Sequence, residues 1–384
     1  MRFLHMIASV DRKGGGPIEG LIRNAEVMKE LGHDLTVVSL DDPSSDAIDR
    51  SFPFRHVALG PAYLKYGYAP RLYPWLKAHS GEFDAVIVQG IWQYHSFATW
   101  RALRKGPVPY FVFTHGMLDP WFKQQYPLKH LKKWLYWPWA DYRVLRDARA
   151  VFFTTEEERL LARQSFWLYR CRERVVVYGT RGSTGDAQQL MAVFRQAHPE
   201  LGVKPFLLFL GRIHQKKGCD DLIRAFAAIM DREPDLLLVM AGPDDVGLSP
   251  QLKKLAVELG VADRILWPGM LTGDVKWGAI HAARAFVLSS HQENFGIAVA
   301  EALSASTPVL ISDKVNIWRE IEQDGAGLVG SDTVEGCEDS LNRFFKLGAE
   351  AEAAMRLAAR RCFESRFEIH NMSVSLVKTI QELM

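Results

Sequence analysis

The stretch from residue 205 to residue 240 reads PFLLFLGRIHQKKGCDDLIRAFAAIMDREPDLLLVM. It begins and ends with a short apolar run, and between these runs apolar side chains recur with helical spacing. Two continuous apolar strands joined by a helix are typical of a parallel sheet that helices cover on both faces. This stretch therefore predicts an α/β fold.

The same alternation extends over most of the chain. Candidate strands lie at 2–9, 34–40, 84–89, 109–113, 150–154, 174–177, 205–210, 235–240, 264–267, 284–289 and 307–312. Candidate helices between them include 18–32, 93–104, 219–231, 249–259, 273–282 and 296–304. The pattern predicts two doubly wound α/β domains in tandem, at 1–180 and 204–365, joined by a polar linker at 181–203.

Composition supports two domains and excludes several classes of protein. The chain has 384 residues, enough for about two domains. Its net charge of +2 is too small for a protein that coats nucleic acid. The four cysteines are scattered without a CxxC pair, which argues against a zinc site and against a disulfide scaffold. We therefore expect neither a metal nor a nucleic-acid partner.

The N-terminal apolar run favours a strand over a signal peptide. It extends only from Phe3 to Val10, and Asp11, two basic residues and glycines follow it. No stretch of 18 or more apolar residues occurs in the sequence. These features predict a cytoplasmic protein.

Glycines and cations follow several of the predicted strands, where open α/β sheets bind ligands. Two sets of strand ends imply a cleft between the domains. Gly14, Gly15 and Gly16 precede a helix and suit close approach of an anion, although a plain glycine-rich connector is an equal alternative. Arg212 and Lys217 lie in one tight loop, where they either neutralise a diphosphate or remain solvated loop cations.

The segment HQENFGIAVAEALS, residues 291–304, holds two glutamates eight positions apart. Glu293 is predicted in a loop, and Glu301 in a helix that is apolar nearly all round and hence buried. A buried carboxylate requires a partner, either ligand hydroxyl groups or a buried arginine. The amides of 294–296 at the helix start form a second candidate cradle for a phosphate or sugar.

Two features of the first half also suggest binding. His115 follows the 109–113 strand, at a carboxyl strand end, although a lone histidine is more often structural. The stretch 121–146 interleaves lysines and arginines with tryptophans, and an aromatic cluster lies at 62–77. Such a mixture suits the surface of an anionic membrane, whereas the equal alternative is that the aromatic rings fill the core.

The motifs GRIHQKKG at 211–218 and ENFGIAVAE at 293–301 resemble glycosyltransferase family 4. This family comprises retaining, nucleotide-sugar-dependent enzymes with two Rossmann-like domains, the GT-B architecture. The resemblance covers nearly the whole chain, and HGMLDPW at 115–121 looks like a bacterial exopolysaccharide or O-antigen subgroup. It implies that a C-terminal helix at 366–384 crosses back to the first, acceptor-binding domain, while the second domain binds the donor.

The resemblance assigns roles residue by residue. Arg212 and Lys217 match the cations on the donor diphosphate, Glu293 the contact to the transferred sugar, and Glu301 the contact to the ribose. The remaining donor-site matches are Gly15, Gly16, Met270, Asn294, Phe295 and Gly296. His115 matches a histidine near the reacting sugar.

Other contacts are less closely matched. Gln89, Trp92 and His95 are expected to contact the acceptor. One departure is Tyr178-Gly179, where the family usually has Asn-Gly.

The resemblance implies a metal-independent hexosyltransferase without a cofactor, which uses a UDP- or GDP-linked sugar. The acceptor is expected to be a saccharide, or a polyprenyl-diphosphate-linked saccharide at the inner membrane face approached by 121–146. Three competitors remain: a nucleotide-sugar epimerase, a glycogen-type synthase or phosphorylase, and a catalytically idle binding module.

Overall fold

The computed structural model describes every residue except 12–15, 46, 47, 49 and 50. Its chain divides into two compact units. The first comprises Met1–Gly179 together with Ile369–Met384, and the second comprises Thr180–Glu368. Each unit is built on its own parallel sheet, so the predicted pair of Rossmann-like α/β folds is confirmed.

The described part of the first unit contains seven strands: β1 (Arg2–Met6), β2 (Asp34–Ser39), β3 (Arg55–Ala58), β4 (Ala85–Gln89), β5 (Tyr110–Phe113), β6 (Ala150–Phe153) and β7 (Glu173–Val175). They form one sheet in the order β3-β2-β1-β4-β5-β6-β7. Its helices are α1 (Gly16–Glu30), α2 (Leu72–His79), α3 (Tyr94–Leu103), α4 (Trp121–Gln125), α5 (Pro127–Tyr136), α6 (Asp141–Asp147) and α7 (Glu156–Ala162).

The apolar strands of the first unit are buried on both faces. Phe3 and Leu4 of β1 are fully buried, and they contribute to two different core clusters. Successive strand residues point to opposite faces of a sheet, so these clusters cover its two sides. This burial explains why the strands read as continuous apolar runs.

The second unit contains, within its described residues, the strands β8 (Phe206–Leu210), β9 (Leu237–Ala241), β10 (Ile265–Gly269), β11 (Ala285–Leu288), β12 (Val309–Ser312) and β13 (Gly327–Gly330). Their order is β10-β9-β8-β11-β12-β13. Its helices are α8 (Ala187–Ala197), α9 (Cys219–Ile229), α10 (Ser249–Glu258), α11 (Gly273–Ala282), α12 (Ile297–Ser304), α13 (Trp318–Asp324), α14 (Val334–Phe345) and α15 (Ala349–Cys362).

Residues 181–203, predicted as a linker, lie within the second unit. They contain α8, which packs against α11. The helix is amphipathic and buries Leu190 and Phe194. The polar composition of 181–189 concealed this helix, whose apolar side chains fall on one face.

The last helix, α16 (Ile369–Leu383), belongs to the first unit, in the region where the family resemblance implies a returning helix. Leu376 and Ile380 join the core cluster that also contains Ile18 and Leu21 of α1. The Ser373 hydroxyl donates a 2.6 Å hydrogen bond to Oδ1 of Asn24, so a polar contact also ties α16 to α1.

Candidate functional site

The strand order of each sheet reverses at one place. In the first unit β2 and β3 are added on one side of β1, and β4 and the later strands are added on its other side. In the second unit β9 and β10 lie on one side of β8, and β11 to β13 lie on the other. Ligands of doubly wound sheets bind outside the carboxyl ends of strands at such a switch point. Most of the predicted site residues lie in the loops that leave these strands.

The loop after β8 is fixed by the loops around it. The backbone N–H of Gly211 donates to the Ala241 carbonyl at 3.0 Å, and that of Ile213 donates to Pro243 at 2.8 Å. On the other side, the His291 N–H donates to the Lys216 carbonyl at 2.8 Å. The backbone that carries the two predicted cations is therefore held between the loops after β9 and β11.

Arg212 and Lys217 of this loop have different surroundings. The Arg212 side chain is exposed, and no described residue forms a hydrogen bond or an ion pair with its guanidinium. The Lys217 ammonium, by contrast, forms an ion pair with Glu293 in the loop after β11. The structure thus brings together one predicted cation and one predicted glutamate, and leaves the guanidinium available.

The electrostatics of the Lys217 pair follow from its burial. Desolvation and the nearby cations Lys216 and Arg212 lower the pKa of Lys217. The carboxylate of Glu293 opposes this effect because it stabilises the ammonium form. An anion placed beside Arg212 would add to that stabilisation and would compete with Glu293 for the ammonium.

The backbone of Glu293 pairs with the loop after β12. Its N–H donates to the Lys314 carbonyl at 2.9 Å, and its carbonyl accepts from the Asn316 N–H at 3.0 Å. Gly296, with φ of 79°, then begins α12 in a left-handed conformation that favours glycine. Phe295 is buried edge-on against Phe367, so its side chain serves the core.

Glu301 of α12 is buried, as its apolar helix predicts, and its side chain is only 5% exposed. One of its partners is a lysine, which was not considered from the sequence. The Lys276 ammonium of α11 donates to Oε1 of Glu301 at 2.9 Å and lies 4.7 Å from the Trp277 ring. Sequence reasoning missed Lys276, whose one signal is its position in the helix that follows β10.

The other predicted donor-site residues are less informative. Met270 follows β10 and is 68% exposed. Gly16 is the first residue of α1. Gly15 and the adjacent Gly14 lie outside the described residues.

In the first unit, His115 ends a buried chain of polar side chains. Its Nε2 lies 2.7 Å from Oε1 of Gln89, and Nε2 of Gln89 lies 2.8 Å from Nδ1 of His5. With the Gln89 amide in this orientation, His115 donates through Nε2 and keeps an acceptor at Nδ1. Burial lowers the pKa of His115 to about 4 and that of His5 to about 3, so both rings are neutral at neutral pH.

The loop carrying His115 is anchored by Glu158, a residue that the sequence reading missed. One carboxylate oxygen of Glu158 accepts from the Thr114 hydroxyl and the Gly116 N–H, both at 2.6 Å. The other oxygen accepts from the N–H and hydroxyl of Thr154, both at 2.7 Å. These bonds hold His115 at φ of 48°, a strained conformation for a residue with a side chain.

The structure corrects two of the three acceptor-binding predictions. Gln89 is buried with both amide atoms engaged by histidines. His95 is 1% exposed and donates through Nε2 to the Gln89 carbonyl at 3.0 Å. Gln89 ends a strand that is buried throughout, and His95 lies on the buried face of α3. Trp92 differs, since it is partly exposed and lines a pocket.

Tyr178, at the departure from the family pattern, fills the space between α1 and His115. A Cβ atom built on Gly20 would lie 1.3 Å from the Tyr178 hydroxyl oxygen, so the ring rests directly on this glycine. The ring also meets His115 edge-on, with centroids 6.3 Å apart. Burial raises the pKa of Tyr178, which therefore remains a neutral phenol.

The aromatic side chains of the basic stretch 121–146 are divided between the core and the surface. Trp137 is fully buried in the core, whereas Trp134 and Trp139 are exposed. Helix α5 has no buried residue, and its large exposed apolar side chains are Leu128, Leu131, Trp134 and Leu135.

No helix among the described residues is long and apolar enough to cross a membrane. No group of three or more His, Cys, Asp or Glu side chains in that part of the chain is arranged to hold a metal ion.

Comparison with known proteins gives matches to two family models, one in each unit. Residues 15–179 match the model described as "Glycosyl transferase 4-like domain". Residues 192–361 match the model described as "Glycosyl transferases group 1".

Curated relatives match the chain over about half of its length. Alpha-D-kanosaminyltransferase of Streptomyces kanamyceticus is 28% identical over 193 residues, which are 50% of this chain and 49% of the relative. D-inositol 3-phosphate glycosyltransferase of Nocardia farcinica is 31% identical over 204 residues, which are 50% of this chain and 43% of the relative. The chain therefore spans about half the length of the curated relatives it matches.

Solved structures match over the full chain at low identity. Sucrose-phosphate synthase from Thermosynechococcus elongatus has a TM-score of 0.78 at 18% identity, covering 100% of this chain and 98% of that one. Anabaena Alr3699/HepE in complex with UDP and glucose has a TM-score of 0.75 at 16% identity, covering 100% of both chains. These likenesses support the same fold, and with the two family models they establish that the chain belongs to the GT-B glycosyltransferases of the family 4 type.

Proposed function

We propose that the protein is a retaining glycosyltransferase that moves a hexose from a UDP- or GDP-linked donor to a lipid-linked saccharide in surface polysaccharide assembly. The observation that carries the proposal is the pair of loops after β8 and β11. There the exposed guanidinium of Arg212, which has no hydrogen-bond or ion-pair partner in the described part of the chain, lies in the same loop as Lys217, which is ion-paired to Glu293. These groups provide the charges that a nucleotide diphosphate-sugar requires.

The chemistry follows from where charge develops. The bond between the anomeric carbon and the β-phosphate oxygen breaks, and a bond from the same carbon to an acceptor oxygen forms on the same face of the sugar. The acceptor proton passes to the departing phosphate. Negative charge grows on that leaving group, so Arg212 and Lys217 stabilise the transition state more than the ground state. The protein's own cations thereby fill the role that a metal ion has in other transferases.

The two glutamates have separate tasks in this proposal. Glu293 accepts hydrogen bonds from hydroxyl groups of the transferred sugar once the diphosphate has drawn Lys217 away from it. Glu301 accepts hydrogen bonds from the ribose. Its side chain is already oriented by the hydrogen bond from Lys276, which keeps a buried carboxylate in place for the nucleotide.

The first unit is proposed to hold the acceptor. His115 is neutral and tautomerically fixed through Gln89, so its Nδ1 can accept a hydrogen bond from a sugar hydroxyl. The exposed apolar side chains of α5, with Lys132 and Lys129 beside them, are proposed to rest on the anionic inner face of the plasma membrane. WaaG, described as a glycosyltransferase involved in lipopolysaccharide biosynthesis, has a TM-score of 0.66 to this chain at 18% identity.

A donor screen tests the proposal. Purified protein is heated with a panel of UDP- and GDP-hexoses, and the true donor raises the melting temperature because it binds only the folded state. Products formed with that donor are then analysed with and without saccharide acceptors, in the presence of EDTA. A glycosylated product of retained configuration supports the proposal. A donor that is only isomerised when no acceptor is present would indicate an epimerase instead.

A further inference from the structure

We propose that a pocket of the first unit, between Trp92 and helix α5, binds the diphosphate group of a prenyl-linked acceptor. This inference rests on the proposed function, because it gives the chemical class of the acceptor. The pocket has a volume of about 60 Å³, several times what one water molecule requires. All the residues that line it belong to the first unit.

The pocket is cationic. Lys129, His130 and Lys133 of α5 line it, at positions that share one face of a helix. Neither lysine has a carboxylate within 4.0 Å among the described residues. The acidic residue of the lining, Asp119, uses Oδ1 to accept a 2.8 Å hydrogen bond from the Trp121 N–H. Two ammonium groups thus face the space with no adjacent counter-ion.

The Lys133 ammonium is positioned by aromatic rings. It lies 4.4 Å from the ring centroid of Trp92 and 5.8 Å from that of Phe122. Burial lowers the pKa of Lys133, so its charged form is stabilised less by water than that of an exposed lysine. An anion in the pocket would restore the lost stabilisation, because opposite charges attract more strongly where water is partly excluded.

The Trp92 wall is rigid before any ligand arrives. Its φ of 74° is a strained value for a tryptophan, and such strain persists only where the surroundings impose it. The Trp92 N–H donates to Oδ1 of buried Asp141 at 3.0 Å, and its indole N–H donates to the Met117 carbonyl at 3.2 Å. The strained backbone and these two hydrogen bonds fix the orientation of the Trp92 ring, so a bound group would pack against a defined aromatic face.

The Phe166 ring packs beside Trp92, with centroids 5.4 Å apart. It stacks between His130, at a centroid distance of 4.8 Å, and Trp137, at 4.3 Å. The pocket therefore combines an apolar aromatic lining with two lysines that form no ion pair with a described carboxylate.

This combination selects the ligand class. A diphosphate carries several negative oxygens, and it can engage both lysines and the histidine at once. A neutral saccharide would leave the two ammonium groups unmatched. The apolar part of the pocket lining, which includes Leu118, Phe122 and Phe166, gives the first units of a prenyl chain joined to the diphosphate a surface to contact.

Titration calorimetry on the full chain tests the inference with farnesyl diphosphate, inorganic pyrophosphate and farnesol. We expect farnesyl diphosphate to bind most tightly. The charge-removing variants Lys133→Gln and Lys129→Gln should each weaken its binding by about tenfold. Lys132→Gln is the matched control, since this exposed lysine of the same helix does not line the pocket. Lys133→Arg keeps the charge and should restore most of the affinity.

Three results would overturn the inference. Farnesol binding as tightly as its diphosphate would show that the lipid chain alone is recognised. Equal loss in Lys132→Gln would indicate a diffuse surface charge. Pyrophosphate binding as tightly as farnesyl diphosphate would indicate a site for the free anion. Melting temperatures within a few degrees of the unchanged protein establish that each variant is folded.

Two further arms separate this inference from the proposed function. Arg212→Ala should leave farnesyl diphosphate binding intact, because Arg212 belongs to the other unit; loss of binding there would place the ligand at the donor loops and contradict the pocket. Nucleotide release from a donor sugar is measured separately. Its absence in the unchanged protein would contradict the proposed function, whatever the pocket binds.

Discussion

The Lys276 ammonium lies 2.9 Å from Oε1 of Glu301, in a pair whose carboxylate side chain is 5% exposed. The helix that carries Glu301 is otherwise apolar and almost wholly buried, so the lysine offsets part of the cost of placing a carboxylate there. Through this pair α11 contributes a residue that lies in neither of the two sequence motifs.

Removal of this lysine should destabilise the second unit. Lys276→Met removes the ammonium that lies 2.9 Å from the buried Glu301 carboxylate, so we expect a loss of about 3 kcal/mol in the free energy of unfolding. Chemical denaturation at neutral pH measures it. Lys254→Met is the control, since Lys254 pairs with Glu258 at 3.6 Å on an exposed surface and its loss should change little. Equal stability of both variants would show that Glu301 does not depend on Lys276.

The buried histidines of the first unit should make the protein sensitive to acid. Burial lowers the pKa of His95 from 6.5 to about 4. Between these values the unfolded chain binds a proton that the folded chain does not, so this histidine's contribution to stability is lost as pH falls from about 6.5 to about 4.

His95→Gln removes this effect while keeping a donor for the Gln89 carbonyl. Between pH 7 and pH 5 the unchanged protein should lose about 2 kcal/mol more unfolding free energy than the variant does. Urea denaturation at the two pH values gives the difference. A variant that loses as much stability as the unchanged protein would contradict the lowered pKa.

The contact between Gly20 and Tyr178 should tolerate no added methyl group. Gly20→Ala places a carbon 1.3 Å from the tyrosine hydroxyl oxygen, so the ring must shift, at a cost of about 1–3 kcal/mol. Gly81→Ala, where nothing lies within 4 Å of the added atom, is the control in a thermal melt. Tyr178→Leu should rescue Gly20→Ala in the double variant, and failure of that rescue would place the strain elsewhere.

The exposed apolar face of α5 should bind anionic membranes. Leu131→Glu combined with Leu135→Glu adds repulsion and removes apolar contact, so affinity for phosphatidylglycerol-containing vesicles should fall at least about tenfold. Leu357→Glu is the control at a comparably exposed leucine of the second unit. Co-sedimentation measures the affinity. Unchanged binding in the double variant would remove α5 from the membrane contact.

The sequence predicted the two sheets because strands buried on both faces read as continuous apolar runs. It missed β3 and β13, which are short, lie at sheet edges, and contain Arg55 and His56 or two glycines. Edge strands are only partly covered, so the apolar signal that reveals a central strand is weak in them. The helix in 181–203 was assigned to a linker because the polar residues that precede it suggested a domain boundary there.

Site residues could be predicted from the sequence only where a charged or polar side chain belongs to a motif that follows a predicted strand. The pairing of Lys217 with Glu293 joins two motifs that were already recognised, but Lys276 lies in neither. Glu158 had a visible local signal: Thr155 and Glu158 have the spacing of a capping box, and the Thr155 hydroxyl accepts from the Glu158 N–H at 2.9 Å. That signal indicates a helix start, and the carboxylate's bonds to the His115 loop depend on tertiary packing that spacing does not reveal.

The central claim is that Arg212 contacts the donor diphosphate, and steady-state nucleotide release by Arg212→Ala tests it most directly. The matched control is Arg224→Ala, an exposed arginine of α9 with no recorded partner among the described residues. We expect kcat to fall about 100-fold or more in Arg212→Ala, the usual effect of removing one charge-stabilising donor, and to stay unchanged in Arg224→Ala. Full turnover by folded Arg212→Ala would contradict the account.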